Sequence, residues 1–227
     1  MLKVLARSPQ QFNPVPNGCV LYLPLWHNEL SGGKFMSCDD FRHVCTVTGA
    51  IWGKYGRAMD GNDYIDCGNN SALNFTSSSF TLIAWIYATT LPAADGVIMR
   101  RGADNTDGWG FLVVTTGRLY VILDQVGAHN HTYSGPGEIT TGTWICVGAV
   151  RDAVTGVVEY KNGDLLAVTS EGNTDPVTSA RTLKIGRDDG AAKYWEGTIG
   201  EVWAFDKALS ASSMTRFYQS TKWRYQS

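Results

Sequence analysis

Charge is scarce in this chain, and so is every short motif that would commit it to a familiar chemistry. Charged residues make up 18% of 227 positions and the formal net charge is −2. No basic stripe is present to draw in nucleic acid or an anionic membrane surface. The first residues, Met1 to Pro14, contain neither the roughly 7 to 15 apolar residues of a secretory signal nor the roughly 20 of a membrane span. The expectation is therefore synthesis in the cytoplasm, with no signal peptide and no membrane insertion. No Cys-x-x-Cys pair occurs, which argues against zinc. The five cysteines, Cys19, Cys38, Cys45, Cys67 and Cys146, are odd in number and irregularly spaced. They read as small buried hydrophobes, with a single bridge such as Cys38 to Cys45 as the alternative. There is no Gly-x-Ser-x-Gly elbow and no phosphate-binding Gly-x-x-x-x-Gly-Lys loop.

What the chain does have is turns and aromatic surface: 25 glycines, eight tryptophans and 11% aromatic residues. Between Gly56 and Tyr87 two strands and several turn signals follow one another closely. Asp60-Gly61-Asn62-Asp63 is built of residues that accept positive φ or bond their own backbone. Tyr64 to Cys67 alternates as a half-buried strand does, and Phe80-Thr81-Leu82-Ile83-Ala84-Trp85-Ile86-Tyr87 is a long run of aromatic and β-branched residues. Trp85, Ile83, Trp144, Val147 and Ile199 are expected to be mostly buried. Leu82 and Ile86 lie on the other face of their strand, so their burial would mean that this face is covered as well. Further strands follow, with Thr116-Gly117 as a hairpin turn. Trp26 to Asp40 reads as a polar loop. Ser210 is placed to cap a short helix carrying Met214, Phe217 and Tyr218 on one face.

These pieces, by type and order, resemble the laminin-G-like, concanavalin A-like jelly roll. The Gly56 to Tyr64 run is similar to that family's Gly-basic-Ala-…-Asp-Gly-x-Asp-Asp-Tyr segment, lacking one residue before Asp60. Phe80 to Trp85, Trp144 to Val147, the Asn162-Gly163 hairpin, Ile185-Gly186 and Gly197 to Phe205 fall in the family's order. The resemblance implies an all-β fold: two antiparallel sheets in a jelly-roll sandwich, with a short C-terminal helix. The expected organisation is an extended arm over residues 1–17, a sandwich over 18–219 and a tail over 220–227. The resemblance also implies a recognition function. Signal-less chains of this kind are similar to structural proteins of bacterial viruses, so the leading expectation is a virion surface subunit, for decoration or adhesion, with glycan as a further ligand. A free lectin-like protein is the alternative, and a glycan-active enzyme with an unfamiliar site is the third. The expected partners are other virion subunits or a second copy of the chain, and a cell-surface glycan.

Enzymes built on such sandwiches place two carboxylates across the scissile bond on alternate positions of a strand. No Glu-x-Asp-x-Glu spacing exists here. Glu201 and Asp206 have the wrong parity, and Glu159 has no acidic residue two positions away. No catalytic residue is assigned. Sugar binding asks for aromatic faces beside hydrogen-bonding groups. Trp109 after Asp104, Asn105 and Asp107, and Tyr194-Trp195 after Asp188 and Asp189, supply that combination, unless the two tryptophans open strands and pack inward. His129-Asn130-His131 puts two imidazoles on one face if the segment is a strand, or in a polar loop if it is not. Family members often hold a structural calcium through an acidic residue in the last strand. Here Gly200 stands at that position, and oxygen-rich loops at Asp104 to Asp107 and Asp188-Asp189 leave calcium open. Phe12, Trp223 and Tyr225, large apolar groups in polar end segments, are expected to make assembly contacts.

Overall fold

Turn chemistry sets the spacing of the strands. Asn162 and Gly163 both take positive φ, 53° and 84°, the geometry of a tight hairpin, and Gly117 closes another at 70°. The structure, a computed structural model, describes residues 15–189 and 193–226. Phe12 lies outside the described residues. In chain order the strands are β1 Cys19–Pro24, β2 Lys34–Met36, β3 Val44–Thr48, β4 Ile51–Gly53, β5 Gly56–Asp60, β6 Tyr64–Asp66, β7 Phe80–Ala88, β8 Gly96–Ala103 and β9 Asp107–Val113. They continue with β10 Leu119–Gln125, β11 Ala128–Ser134, β12 Trp144–Asp152, β13 Gly156–Lys161, β14 Asp164–Leu165, β15 Val168–Ser170, β16 Leu183–Ile185 and β17 Glu196–Phe205. The helix α1 spans Ala211–Thr221, and a single 3-10 turn, Lys222–Arg224, follows it. The Trp26 to Asp40 segment is more structured than its polarity suggests, since it holds β2 and a further 3-10 turn at Asn28–Leu30. Among the described residues, no helix is long and apolar enough to cross a membrane.

Two antiparallel sheets form a sandwich. The first runs β14-β13-β12-β7-β17-β5-β4, with β1 also on β17, and the second runs β15-β11-β10-β9-β8-β16-β6-β3-β2. Leu82, Ala84 and Ile86 of β7, Val147 and Ala149 of β12 and Ile199 of β17 face the interior. There they meet Phe111, Val113, Val121 and Leu123 of the second sheet. Burial of that many apolar side chains, at about 25 cal/mol per Å², is the main stabilising term.

Both faces of β7 are covered. Ile83 and Trp85 are buried on the outer side, in a second apolar cluster with Tyr22, Trp203, Phe205 and Met214. Helix α1 provides that cover. Ser210 caps it by accepting the Ser213 amide, and Met214 points down onto the sheet. The approach is so close that a Cβ at Gly148 would lie 2.3 Å from the Met214 Cε.

The residues after α1 continue the cover. Trp85 Nε1–H donates to Thr221 Oγ1 at 2.8 Å, and the Tyr225 ring stacks on Trp85 with centroids 4.5 Å apart. Arg224 sits 3.6 Å from the Trp26 ring centroid and pairs with the buried Glu201 carboxylate, which also accepts Trp26 Nε1–H at 2.6 Å. Tyr225 is therefore engaged inside its own domain and is not free for assembly, because Trp85, Trp144 and Gly200 together form a slot that its ring fills. Trp223 points away and is 66% exposed. Trp144, at the margin of this cover, is half-buried rather than mostly buried.

All five cysteines are free, and four of them are buried. Burial pushes the Cys38 thiol up to about 12.

Candidate functional site

Strand parity decides which side chains of the second sheet meet solvent. Trp109, Phe111 and Val113 of β9 alternate inward, and Trp109 packs with Phe75 and Phe80 while donating Nε1–H to the Leu73 carbonyl at 3.0 Å. Trp195 is likewise buried in the interior. Both tryptophans pack in the core and offer no face to a sugar.

The opposite parity builds an outward face. Asp124 of β10 lies opposite His129 of β11, Ile122 opposite His131, and Tyr120 opposite Tyr133. The two imidazoles stack at 4.1 Å, so the His-x-His segment is a strand with both rings on one face. Tyr120 and Tyr133 stack at 4.9 Å, and Tyr120 meets His131 edge-on at 5.6 Å. A continuous aromatic row results along the sheet.

Charged groups gather beside that row. Arg100 of β8 is buried, its Nη1 2.6 Å from Asp124 and its Nε 3.3 Å from Asp188. It lies flat over Gly110, where a Cβ would come within 2.8 Å of its Nη1. Asp124 also accepts the Asn105 amide at 2.9 Å. Lys193 reaches Asp95 at 2.7 Å and Asp104 at 3.7 Å, and Asp104 lies 3.7 Å from His129. Glu171 lies 3.5 Å from the His131 ring. These side chains border a pocket of about 220 Å³ whose lining includes Asp95, Asp104, Tyr120, Ile122, His131 and Lys193.

The electrostatics of this face follow from burial and neighbours. Burial raises the Asp124 carboxyl above its ordinary range although Arg100 pulls the other way. Burial and then the His129 charge lower the His131 imidazole. Burial alone would lower Lys193, but the Asp95 hydrogen bond and charge hold it above its usual value.

Of the residues singled out from the sequence, Asp104 and His131 line the pocket, while His129 and Asp188 stand in its charged border. The others shape loops. Asn105 takes φ 54° in the β8–β9 turn, and the Asp107 carboxylate accepts the Ala103 amide at 3.0 Å. Asp189 pairs with Lys184 and Arg181. Tyr194 is half-buried under the Arg187 guanidinium. Sequence reasoning passed over Asp95, Tyr120 and Asp124. The signal was there for the last two, since Tyr120, Ile122 and Asp124 share a parity opposite to the apolar Leu119, Val121 and Leu123.

Calcium does not fit these residues. Asp104, Asp124 and His129 bring ligand atoms within 4.8 Å of one another. One of the three is a nitrogen donor, and Asp124 already serves Arg100 and the Asn105 amide, whereas calcium needs six to eight oxygens. The position in the last strand is closed too. A Cβ at Gly200 would lie 2.6 Å from the Tyr225 ring, so no acidic side chain can stand there. A carboxylate pair is also precluded for Glu159 and Glu201. Glu159, opposite the inward Ala149, faces the interior, while Glu201 lies on the helix side of the same sheet.

The description "Concanavalin A-like lectin/glucanases superfamily" belongs to a family model that matches residues 59–214. No curated protein matches the chain. Among solved structures, the binding domain of Paraclostridial Mosquitocidal Protein 1 superposes with a TM-score of 0.72 at 14% identity, over 89% of this chain and 52% of that one. The botulinum neurotoxin serotype D binding domain gives 0.68 at 17% identity, over 90% and 52%. A Trypanosoma rangeli sialidase gives 0.67 at 18% identity, over 94% and 34%. The chain thus spans about half the length of the toxin chains, and identities this low show likeness of fold alone.

Proposed function

The chain belongs to the concanavalin A-like lectin/glucanase superfamily, and on that premise we propose that it is a non-enzymatic recognition domain binding glycan on the outer face of its nine-stranded sheet. One observation carries the reading: an aromatic row, Tyr133, Tyr120 and His131, runs beside a pocket rimmed by Asp95, Asp104 and Lys193. A pyranose presents an apolar C–H face to such rings and hydroxyls to such a rim. Five carboxylates, Asp95, Asp104, Asp124, Asp188 and Glu171, outnumber the cations Arg100, Lys193 and Arg118 around this face, so neutral or amino sugars suit the pocket better than acidic ones. The similar toxin domains are binding domains, which agrees in kind. Glu159 and Glu201, on opposite faces of their sheet, do not form the carboxylate pair an enzyme reading would need.

The test is calorimetric titration of the purified chain with neutral, amino and acidic oligosaccharides. Tyr120→Ala should weaken the best ligand about tenfold, the loss of one stacking contact. Absence of binding to any saccharide, or a Tyr120→Ala protein that binds as well as the parent, would sink this reading.

The site of action proposed is the surface of a virus particle, where a decoration or adhesion subunit displays the sugar-binding face. Supporting it is Trp223, 66% exposed on a segment whose neighbours Arg224 and Tyr225 are held down. Such a side chain suits a contact between subunits. Light scattering at increasing concentration should show self-association that Trp223→Ala abolishes. A monomer at every concentration would favour the free lectin.

A further inference from the structure

We propose a second ligand site on the opposite sheet, an aromatic-walled recess that takes the ring of an acidic sugar. The register of four strands creates it. Trp144 of β12 lies opposite Tyr87 of β7, Tyr87 opposite Thr198 of β17, and Thr198 opposite Ala58 of β5. All four point outward in one row. Two large aromatics followed by two small residues make a step in the surface, and the β4–β5 turn brings Tyr55 across the low side, with ring centroids 6.3 Å from Trp144. The recess so enclosed measures about 340 Å³, inside the roughly 300 to 1,000 Å³ of small-molecule sites.

Its position explains why it stays open. Helix α1 and the residues after it cover this sheet face as far as Tyr225, whose ring meets Trp144 at 4.7 Å. Beyond that ring nothing from the chain's own described residues continues the cover. Trp144 is half-buried there, while Trp85 and Trp203, on the same face, are sealed.

The chemistry of the lining selects the occupant. Lys54 is the one charged residue of the lining, its ammonium 4.8 Å from the Tyr55 ring centroid. Tyr55, Tyr87 and Thr198 add hydroxyl groups. A sugar ring uses the whole set: its C–H face lies on Trp144, its hydroxyls reach the phenols and Thr198, and a carboxylate meets Lys54. An aliphatic side chain from a protein partner would leave the cation and the hydroxyls without partners. The charge preference is opposite to that of the acidic pocket on the other sheet, so the two sites are separable in one experiment.

Tryptophan fluorescence of the intact chain, titrated with a glucuronate oligosaccharide, with sialyllactose and with their neutral counterparts, tests the site. An acidic saccharide should bind about tenfold more tightly than its neutral counterpart. Tyr55→Ala, half-buried in the β4–β5 turn, and Ala58→Trp, which fills the recess, should each weaken it at least about fivefold. Lys54→Ala should remove the preference for acid, and Tyr120→Ala should leave this titration unchanged. Binding unaffected by Tyr55→Ala and Ala58→Trp, or no response to any acidic saccharide, overturns the proposal. Failure confined to Tyr120→Ala and neutral sugars would instead count against the other sheet's pocket.

Discussion

Trp85→Ala will cost the domain about 3 to 5 kcal/mol of stability, the sum of lost transfer energy and the cavity left behind. Trp85 is 1% exposed in the centre of the apolar cluster between the first sheet and its cover. Its removal empties the space under Tyr225 and Tyr218 and leaves the Thr221 hydroxyl without the indole donor at 2.8 Å. The sheet cannot collapse into the gap, because the β7 backbone is held on both sides by β12 and β17. Helix α1 and the residues after it should loosen before the sandwich does, so amide exchange in 211–225 should rise more than in β9 and β10. Equilibrium denaturation measures the total. A loss below about 1 kcal/mol would mean that α1 and its extension contribute little to covering this face.

Glu159→Gln will stabilise the protein at alkaline pH and do little in acid. Glu159 is fully buried on β13, and burial pushes its carboxyl from 4.5 up to about 9, with the Ser134 backbone offsetting only part of that. The folded chain thus keeps a proton that the unfolded chain releases above about pH 4.5. The associated stability is fully present below that pH and is lost progressively as pH rises towards 9. At pH 8 the deficit is about 3 to 4 kcal/mol, taking ~1.4 kcal/mol for each pH unit between the two values and allowing for some relaxation around the group. The neutral amide removes it. Urea denaturation at pH 5 and pH 8 should give nearly equal stabilities for parent and variant at the lower pH and a clear gain for the variant at the higher one. A gain of the same size at both would show that the carboxyl is not the titrating group.

Much of the fold could be read because turns and alternation are local. Asp60-Gly61 and Asn162-Gly163 mark turns by their φ requirements alone. The second joins the paired β13 and β14, whereas the first carries the chain from one sheet to the other, a difference that no local signal records. The site was legible in part because alternation is local. His129 and His131 share a face at a spacing of two whatever surrounds them, provided the segment is a strand. Trp109 and Trp195 show where this reasoning stops. A tryptophan at the start of a strand points inward or outward according to a parity of one residue, and the residues nearby are compatible with both. Trp85 poses a different ambiguity, since every residue of Phe80 to Tyr87 is apolar, aromatic or β-branched. Burial of both faces follows, but nothing local says that one face meets a sheet and the other a helix. Tyr225 and Gly200 lie beyond local reading altogether. That a ring from the last few residues occupies the position above the last strand depends on long-range geometry, and it explains in one contact both the glycine and the misassigned tyrosine.

The return of residues 221–225 to the face of β7 fixes a timetable for the ribosome. Trp85 and its donor contact Thr221 are 136 residues apart in sequence. At about 5 to 20 residues per second, a nascent chain carries this aromatic face bare for roughly 7 to 27 seconds before its cover is made. Through that interval Ile83 and Trp85 stay bare, joined near its end by Trp203, as apolar surface of the kind that soluble proteins avoid displaying. Yield in cells should therefore depend on how quickly translation finishes and on what shields the patch meanwhile, and a chain truncated shortly before residue 221 should leave that face uncovered and prone to aggregate.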